Sequence, residues 1–124
     1  MNNYLAVALG GCLGSVARYW LSGAVYRYSG SGFPYGTLAV NVLGCLALGT
    51  IMGLVEYRQW FGPNLRLFLT IGIMGGFTTF STFGFETFAL LRDHQYLPAL
   101  ENVAGNVLLG LAAVTAGWFL AKLV

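Results

Sequence analysis

Charged side chains are scarce in this sequence. Six Lys or Arg and four Asp or Glu make up 8% of the 124 residues, whereas a soluble domain carries about 25%. Hydrophobic residues make up 57% of the chain, and the mean hydropathy is +0.72. Because so little polar surface cannot cover a globule in water, the composition predicts an integral membrane protein and excludes an ordinary soluble domain.

Histidine, cysteine and clustered charge are also scarce. The single histidine, His94, is expected in a solvated turn, and Ser81 has no base near it in sequence, so no catalytic or metal-binding constellation is indicated. Cys12 and Cys45 lie in apolar stretches, which favours small packing residues over a disulfide. The net charge is only +2. We expect neither an enzyme nor a nucleic-acid-binding protein, since the basic residues stand singly at Arg18, Arg27, Arg58, Arg66, Arg92 and Lys122.

Four long apolar stretches account for most of the chain. Each is about long enough to cross roughly 30 Å of hydrocarbon as a helix. Loops rich in Gly, Ser, Pro or charge separate them. The sequence therefore predicts an all-α membrane protein, one domain over residues 1–124, with helices at about 4–26, 35–55, 65–91 and 98–123.

The charges at the ends of these helices give a weak orientation signal. Four crossings place Arg58, Arg66 and Lys122 on one side of the membrane and Arg27 and Arg92 on the other. A bias of three to two permits insertion in both orientations under the positive-inside rule. Two opposite copies could pair as an antiparallel, dual-topology homodimer. A parallel oligomer with a modest preference agrees equally well with the charge count.

The third span contains a cluster of glycines in its middle: Gly72, Gly75 and Gly76. Glycine pairs are a known cause of breaks in helices, and we expect this helix to be broken in mid-membrane. Carbonyl groups freed by a break suit a hard cation such as Na⁺, and the N-terminus of the second half suits an anion. The alternative is a continuous helix in which glycines serve close packing.

Aromatic and hydroxyl residues follow the glycines. Phe80 and Phe83 stand at i and i+3 and share one helix face, with Thr79, Ser81 and Thr82 beside them. Aromatic rings have electropositive edges, so two rings presented edge-on could coordinate an anion without a formal charge. Ordinary packing is the more common role of two phenylalanines.

Four other polar residues lie within apolar spans, where a polar group is costly unless it has a partner. Arg18 suits either an anion-attracting vestibule or simple anchoring at the interface. Asn41 could donate hydrogen bonds to an anion or hold two helices together. Asn102 and Asn106, at i and i+4, suit either a polar track or an interhelical contact.

Three ordered motifs identify a resemblance to a known family. They are GGxxGxxxRY at residues 10–19, GTLxVNxxG at 36–44 and GxxGGxTTFSTF at 72–83. In this order, in so short a chain of four spans, they resemble the Fluc/CrcB family of fluoride channels. The third motif is the most specific, and the fourth span is the weakest match.

The resemblance implies a passive, fluoride-selective channel in the bacterial inner membrane that lets cytoplasmic fluoride leave and so reduces its toxicity. It also implies an antiparallel homodimer with two pores and a central structural sodium ion held by the backbone carbonyls of Gly75 and Thr78. The fluoride pathway would include Asn41, Phe80 and Phe83, the hydroxyls of Thr79, Ser81 and Thr82, and Arg18 at a vestibule. Asn102 and Asn106 would lie along a polar track, although their roles and that of Glu86 stay open.

Two other functions compete with a channel. Small multidrug exporters have four spans and a similar length, but proton-coupled export of cations requires a carboxylate within the substrate chamber. The first span has none, Glu86 stands late in the third and Glu101 opens the fourth. A non-transporting assembly subunit would not require glycines followed by a hydroxyl-rich Phe-x-x-Phe face.

Overall fold

A computed structural model describes residues 2–124 of the protein, and helices account for nearly all of them. Four helical segments are long and apolar enough to cross a membrane, which confirms the prediction of four spans. The third is divided in two. The helices are α1 (Asn3–Ser29), α2 (Tyr35–Arg58), α3 (residues 63–77), α4 (Phe80–Arg92) and α5 (Tyr96–Leu120).

Short polar segments end the helices. The Tyr4 N–H donates to Asn2 Oδ1 at 3.0 Å at the start of α1, an N-cap that satisfies one of the free amides there. α1 ends at Gly30, whose φ of 75° favours glycine. Between α4 and α5, Asp93 accepts a hydrogen bond from Arg92, which holds the pKa of the Asp93 carboxyl below its usual value. His94 is exposed in this turn, as expected.

Glycines let α1 and α3 approach each other to backbone contact. A Cβ on Gly10 would lie 2.8 Å from the Cα of Gly72, and one on Gly14 would collide with the carbonyl of Ile73. Real Cβ atoms do not come so close. In a bilayer, where apolar lipid gives no hydrophobic drive between helices, such small-residue faces allow the van der Waals contact that holds helices together.

The second close pair is α2 with the C-terminal part of α5. A Cβ on Gly49 would meet the carbonyl of Val114, and one on Gly117 would meet the carbonyl of Leu46. The glycine-based contacts thus join α1 to α3 and α2 to α5, while α4 carries the polar motif.

We expect Gly14→Ala to destabilise the protein by about 1–3 kcal/mol, the usual cost of overpacking. A Cβ there would lie 3.0 Å from the backbone nitrogen of Phe77, so α1 and α3 would have to separate. Thermal unfolding in detergent, followed by size-exclusion chromatography, measures the effect. Gly23→Ala on the same helix is the control, because a Cβ at Gly23 meets nothing within 4 Å. Equal stability of the two variants would contradict this packing.

The third span leaves helical geometry at Thr78 and Thr79. Thr78 has a ψ of 159°, and Thr79 has a φ of −150° and a ψ of 115°. The glycines expected to cause a break lie just before it, within helix. Two of them pack against α1, where Gly72 touches Gly10 and Gly76 approaches Gly11. Gly72 and Gly76 therefore serve close packing, whereas a Cβ on Gly75 would meet nothing within 4 Å. The chain becomes extended at the threonines that follow.

Candidate functional site

The side chain of Asn41 holds the interruption between α3 and α4. The Thr79 N–H donates to Asn41 Oδ1 at 2.8 Å, and Asn41 Nδ2 donates to the Thr79 carbonyl at 3.1 Å. Unpaired backbone groups are costly in an apolar environment, and one amide side chain satisfies both groups of this residue. Since the Thr79 N–H donates to Asn41 instead of continuing the helical pattern, the carbonyl of Gly75 loses its α-helical partner.

Hydroxyl groups gather at the N-terminus of α4. Thr79 is the N-cap: its Oγ1 accepts from the Thr82 N–H at 3.3 Å and donates to Thr82 Oγ1 at 3.0 Å. Ser81 Oγ lies 3.5 Å from Thr79 Oγ1, and Ser81 is exposed. The N-terminus of a helix carries a partial positive charge and free N–H groups, so this cluster favours an anion.

One cavity, of about 270 Å³, brings together six of the residues proposed from sequence. Within it the Phe80 and Phe83 ring centroids are 5.5 Å apart and the rings are tilted by 57°. Phe80 is 82% exposed on the surface of the protomer. We call this the phenylalanine cavity; it is lined by Asn41, Gly44, Cys45, Leu48, Thr78, Thr79, Phe80, Phe83, Asn106 and Val107.

A second cavity, of about 250 Å³, shares Thr79 with the phenylalanine cavity. Most of the residues that line it carry a polar side-chain group. The Nε of Arg18 and the Oε2 of Glu86 are buried, and neither has a hydrogen-bond partner among residues 2–124. We call it the arginine cavity; it is lined by Ser15, Arg18, Tyr19, Ser22, Tyr26, Thr37, Val40, Thr79, Thr82 and Glu86.

Sequence reasoning missed the two hydrogen-bond partners of Glu86 in the arginine cavity. Thr37 Oγ1 donates to Glu86 Oε1 at 2.8 Å, and the Tyr26 hydroxyl donates to the same oxygen at 3.2 Å. Thr37 stands four residues before Asn41 on α2, so the two share a face of that helix. This four-residue spacing could have identified Thr37 from the sequence. No such feature identified Tyr26, because an aromatic residue near a span end is typical of the membrane interface.

Two polar candidates, Asn102 and Ser81, line neither cavity, whereas Asn106 lines the phenylalanine cavity. Asn102 is fully buried. It contacts Asn106, whose Nδ2 donates to Asn102 Oδ1 at 3.1 Å. Asn41 Nδ2 donates to Asn106 Oδ1 at 2.8 Å. Since a primary amide has two N–H groups, both of those on Asn41 are engaged.

Comparison with known proteins decides the family. Residues 5–118 match the family described as CrcB-like protein, Camphor Resistance (CrcB). The chain belongs to the CrcB family. It is therefore a multi-pass membrane protein.

Several relatives of this CrcB chain are named fluoride-specific ion channel FluC. The protein from Geobacter sulfurreducens is 48% identical over 122 residues, which cover 98% of each chain. That from Chloroflexus aurantiacus is 44% identical over 124 residues, covering 96% of this chain and 98% of the relative. That from Maridesulfovibrio salexigens is 41% identical and covers 100% of this chain.

Within the described part of the CrcB chain, backbone oxygens near the interruption are available to a cation. Among residues 2–124 no three His, Cys, Asp or Glu side chains converge as a metal site. Gly75 is exposed, and a Cβ there would meet nothing within 4 Å. Its carbonyl, deprived of the Thr79 N–H, and that of the extended Thr78 are the oxygen donors that a hard cation such as Na⁺ prefers.

Proposed function

We propose that this protein is a passive, fluoride-selective ion channel and not an enzyme. The observation that carries the proposal is the interruption at Thr79. Thr79 lines both cavities at the N-terminus of α4, with Thr82 in the arginine cavity and the Phe80 and Phe83 rings in the phenylalanine cavity. The names of the relatives support fluoride as the ion.

The groups along the proposed pathway bind an anion without holding it too tightly. Arg18 at the arginine cavity attracts anions from water, while Thr79, Ser81 and Thr82 supply hydroxyl donors. Phe80 and Phe83 then present positive ring edges in the phenylalanine cavity. Conduction requires that each site be favourable enough for entry and weak enough for release. Uncharged donors bind an anion less tightly than a buried arginine beside the rings would, so they allow release as well as entry.

An antiparallel homodimer would complete the pathway. Gly75, Ser81 and Phe80 are exposed on the protomer, yet free backbone and hydroxyl groups facing lipid are costly. A second copy covering this surface removes that cost. The balanced charges at the helix ends permit the copy to insert the opposite way, and the two-fold axis then generates two equivalent pores with both interruptions at mid-membrane.

At that axis, the carbonyls of Gly75 and Thr78 from both subunits would hold one structural sodium ion. The four oxygens form a small cage of hard donors. The ion would offset the repulsion of carbonyl dipoles brought face to face between the two interrupted helices.

In the cell, the channel would lie in the inner membrane of a bacterium. Fluoride that enters as neutral HF ionises in the cytoplasm and leaves through the pore, which reduces its toxicity. The partners are fluoride, the lipid bilayer and the second subunit; no nucleic acid is involved.

The test is fluoride efflux from proteoliposomes loaded with potassium fluoride and followed with a fluoride electrode. Addition of a potassium ionophore without any pH gradient should start efflux, because a passive channel needs only a charge-balancing leak. Protein-free vesicles are the control. Efflux that depends on an imposed proton gradient would indicate a coupled transporter, and efflux no faster than in protein-free vesicles would overturn the proposal.

A further inference from the structure

Three asparagines link α2, α5 and α4 through a single run of hydrogen bonds. It begins at the Thr79 N–H, which donates to Asn41 Oδ1. Asn41 donates to Asn106 Oδ1 at 2.8 Å and Asn106 donates to Asn102 Oδ1 at 3.1 Å. The side-chain oxygen of each asparagine thus accepts a hydrogen bond and the side-chain nitrogen donates one, so the hydrogen bonds of the run all point in the same direction.

The run returns to α4 at its other end. Asn102 Nδ2 donates to Thr87 Oγ1 at 2.9 Å, and Thr87 Oγ1 donates to the Phe83 carbonyl at 2.8 Å. α4 is therefore tied at Thr79 and at Thr87, about 12 Å apart at 1.5 Å per residue. Phe80 and Phe83 lie between the two ties.

The asparagines have few donors left for an ion. Both N–H groups of Asn41 are engaged, by the Thr79 carbonyl and Asn106. Asn106 Nδ2 contacts both the carbonyl and the Oδ1 of Asn102, at 2.9 and 3.1 Å. Asn102 is 0% exposed. To donate to a passing anion, Asn41 or Asn106 would have to give up a hydrogen bond in an apolar environment, where that is costly.

We propose that Asn41, Asn106 and Asn102 form a brace that fixes the position of α4, so that Asn102 and Asn106 are positioning residues that act on Phe80 and Phe83 and not donors to the ion. For its effect on conduction, the inference rests on the proposed channel function. In this inference Asn102 and Asn106 of the fourth span do not form a polar track for the ion. They position α4 through hydrogen bonds that all run in one direction.

A test that needs no fluoride is hydrogen exchange at the Thr79 amide, measured by NMR on the full-length protein with selectively labelled threonine. In Asn106→Leu, Asn41 loses the acceptor that orients it, and the Thr79 amide should exchange about tenfold faster or more, as for a lost buried hydrogen bond. Thr115→Val on the same helix is the control, because the Thr115 hydroxyl donates to the Leu111 carbonyl of its own helix. Unchanged exchange at Thr79 in Asn106→Leu would overturn the brace.

If Asn106→Leu does not assemble, Asn106→Ser serves in its place. A serine hydroxyl is too short to contact Asn41 and Asn102 together, so the same increase in exchange is expected. Unchanged exchange in that variant would equally overturn the brace.

A double-mutant cycle on fluoride efflux separates the brace from a polar track. Asn102→Leu and Asn106→Leu cut the same run, so the double variant should conduct about as slowly as the slower single variant. Two independent ion donors would instead multiply their separate reductions, a result that would overturn the brace. If the wild-type protein conducts no fluoride the channel proposal fails, while the exchange measurement still decides the brace.

Discussion

Phe80→Ile will reduce fluoride efflux from proteoliposomes by about tenfold or more, because a loss of only 1.4 kcal/mol at the barrier has that effect. Isoleucine keeps the apolar bulk of the side chain but has no electropositive edge to offer an anion. Phe80 lines the phenylalanine cavity and is 82% exposed on the protomer, so the change removes little packing within the chain. The variant should therefore elute as the same assembly as the wild type on size-exclusion chromatography.

Phe85→Ile is the matched control for this experiment. Phe85 lies on the same helix, pairs with Phe88 at a ring distance of 6.4 Å and is 66% exposed, but it lines neither cavity. We expect wild-type efflux from it. Equal efflux from Phe80→Ile and the wild type would remove Phe80 from the pathway.

Removal of sodium is expected to have the second largest effect. When Na⁺ is replaced throughout purification by N-methylglucamine, which is too large for a cage of four carbonyls, the dipoles of Gly75 and Thr78 should repel each other across the two-fold axis. We expect the dimer to lose thermal stability or dissociate, and fluoride efflux to fall with it. Thermal unfolding and size-exclusion chromatography in the two buffers measure the change.

Restoring Na⁺ before reconstitution should recover both stability and efflux, and this recovery separates a specific ion site from irreversible damage. With K⁺ in place of Na⁺, we expect stability and efflux between those in Na⁺ and those in N-methylglucamine, because the larger radius of K⁺ suits a small cage less well. A protein that is indifferent to Na⁺, in both stability and efflux, would contradict a structural cation at the interface.

Composition and hydropathy were sufficient to predict the four spans. A chain with 8% charged residues cannot form a water-soluble globule, and each apolar run matches one of the four membrane-spanning segments. The i, i+3 spacing of Phe80 and Phe83 likewise predicted that the two rings would lie together, as they do in one cavity. These features are local, and periodicity along one helix encodes them.

The cause of the interruption could not be obtained from local pattern. Glycines at 72, 75 and 76 suggested that they break the helix, but the role of Gly72 and Gly76 depends on α1, whose own glycines let the two backbones touch. The chain departs from helix at Thr79 because Asn41, 38 residues away in sequence, offers its backbone both a donor and an acceptor.

The polar contacts of the fourth span were also beyond sequence reasoning. The spacing of Asn102 and Asn106 placed them on one helix face, but left a polar track and an interhelical contact equally open. Asn41 and Asn106 are 65 residues apart, and the Thr37–Glu86 contact spans 49. Such pairings depend on how the helices cross, which a single sequence does not specify.

The central claim is that uncharged donors and ring edges around Thr79 conduct fluoride in preference to larger halides. The most direct test measures fluoride and chloride efflux from the same proteoliposome preparation, under the same driving force and with ion-selective electrodes for each. We expect fluoride to leave through the channel while chloride efflux stays at the level of protein-free vesicles. Chloride efflux as fast as that of fluoride would contradict the account.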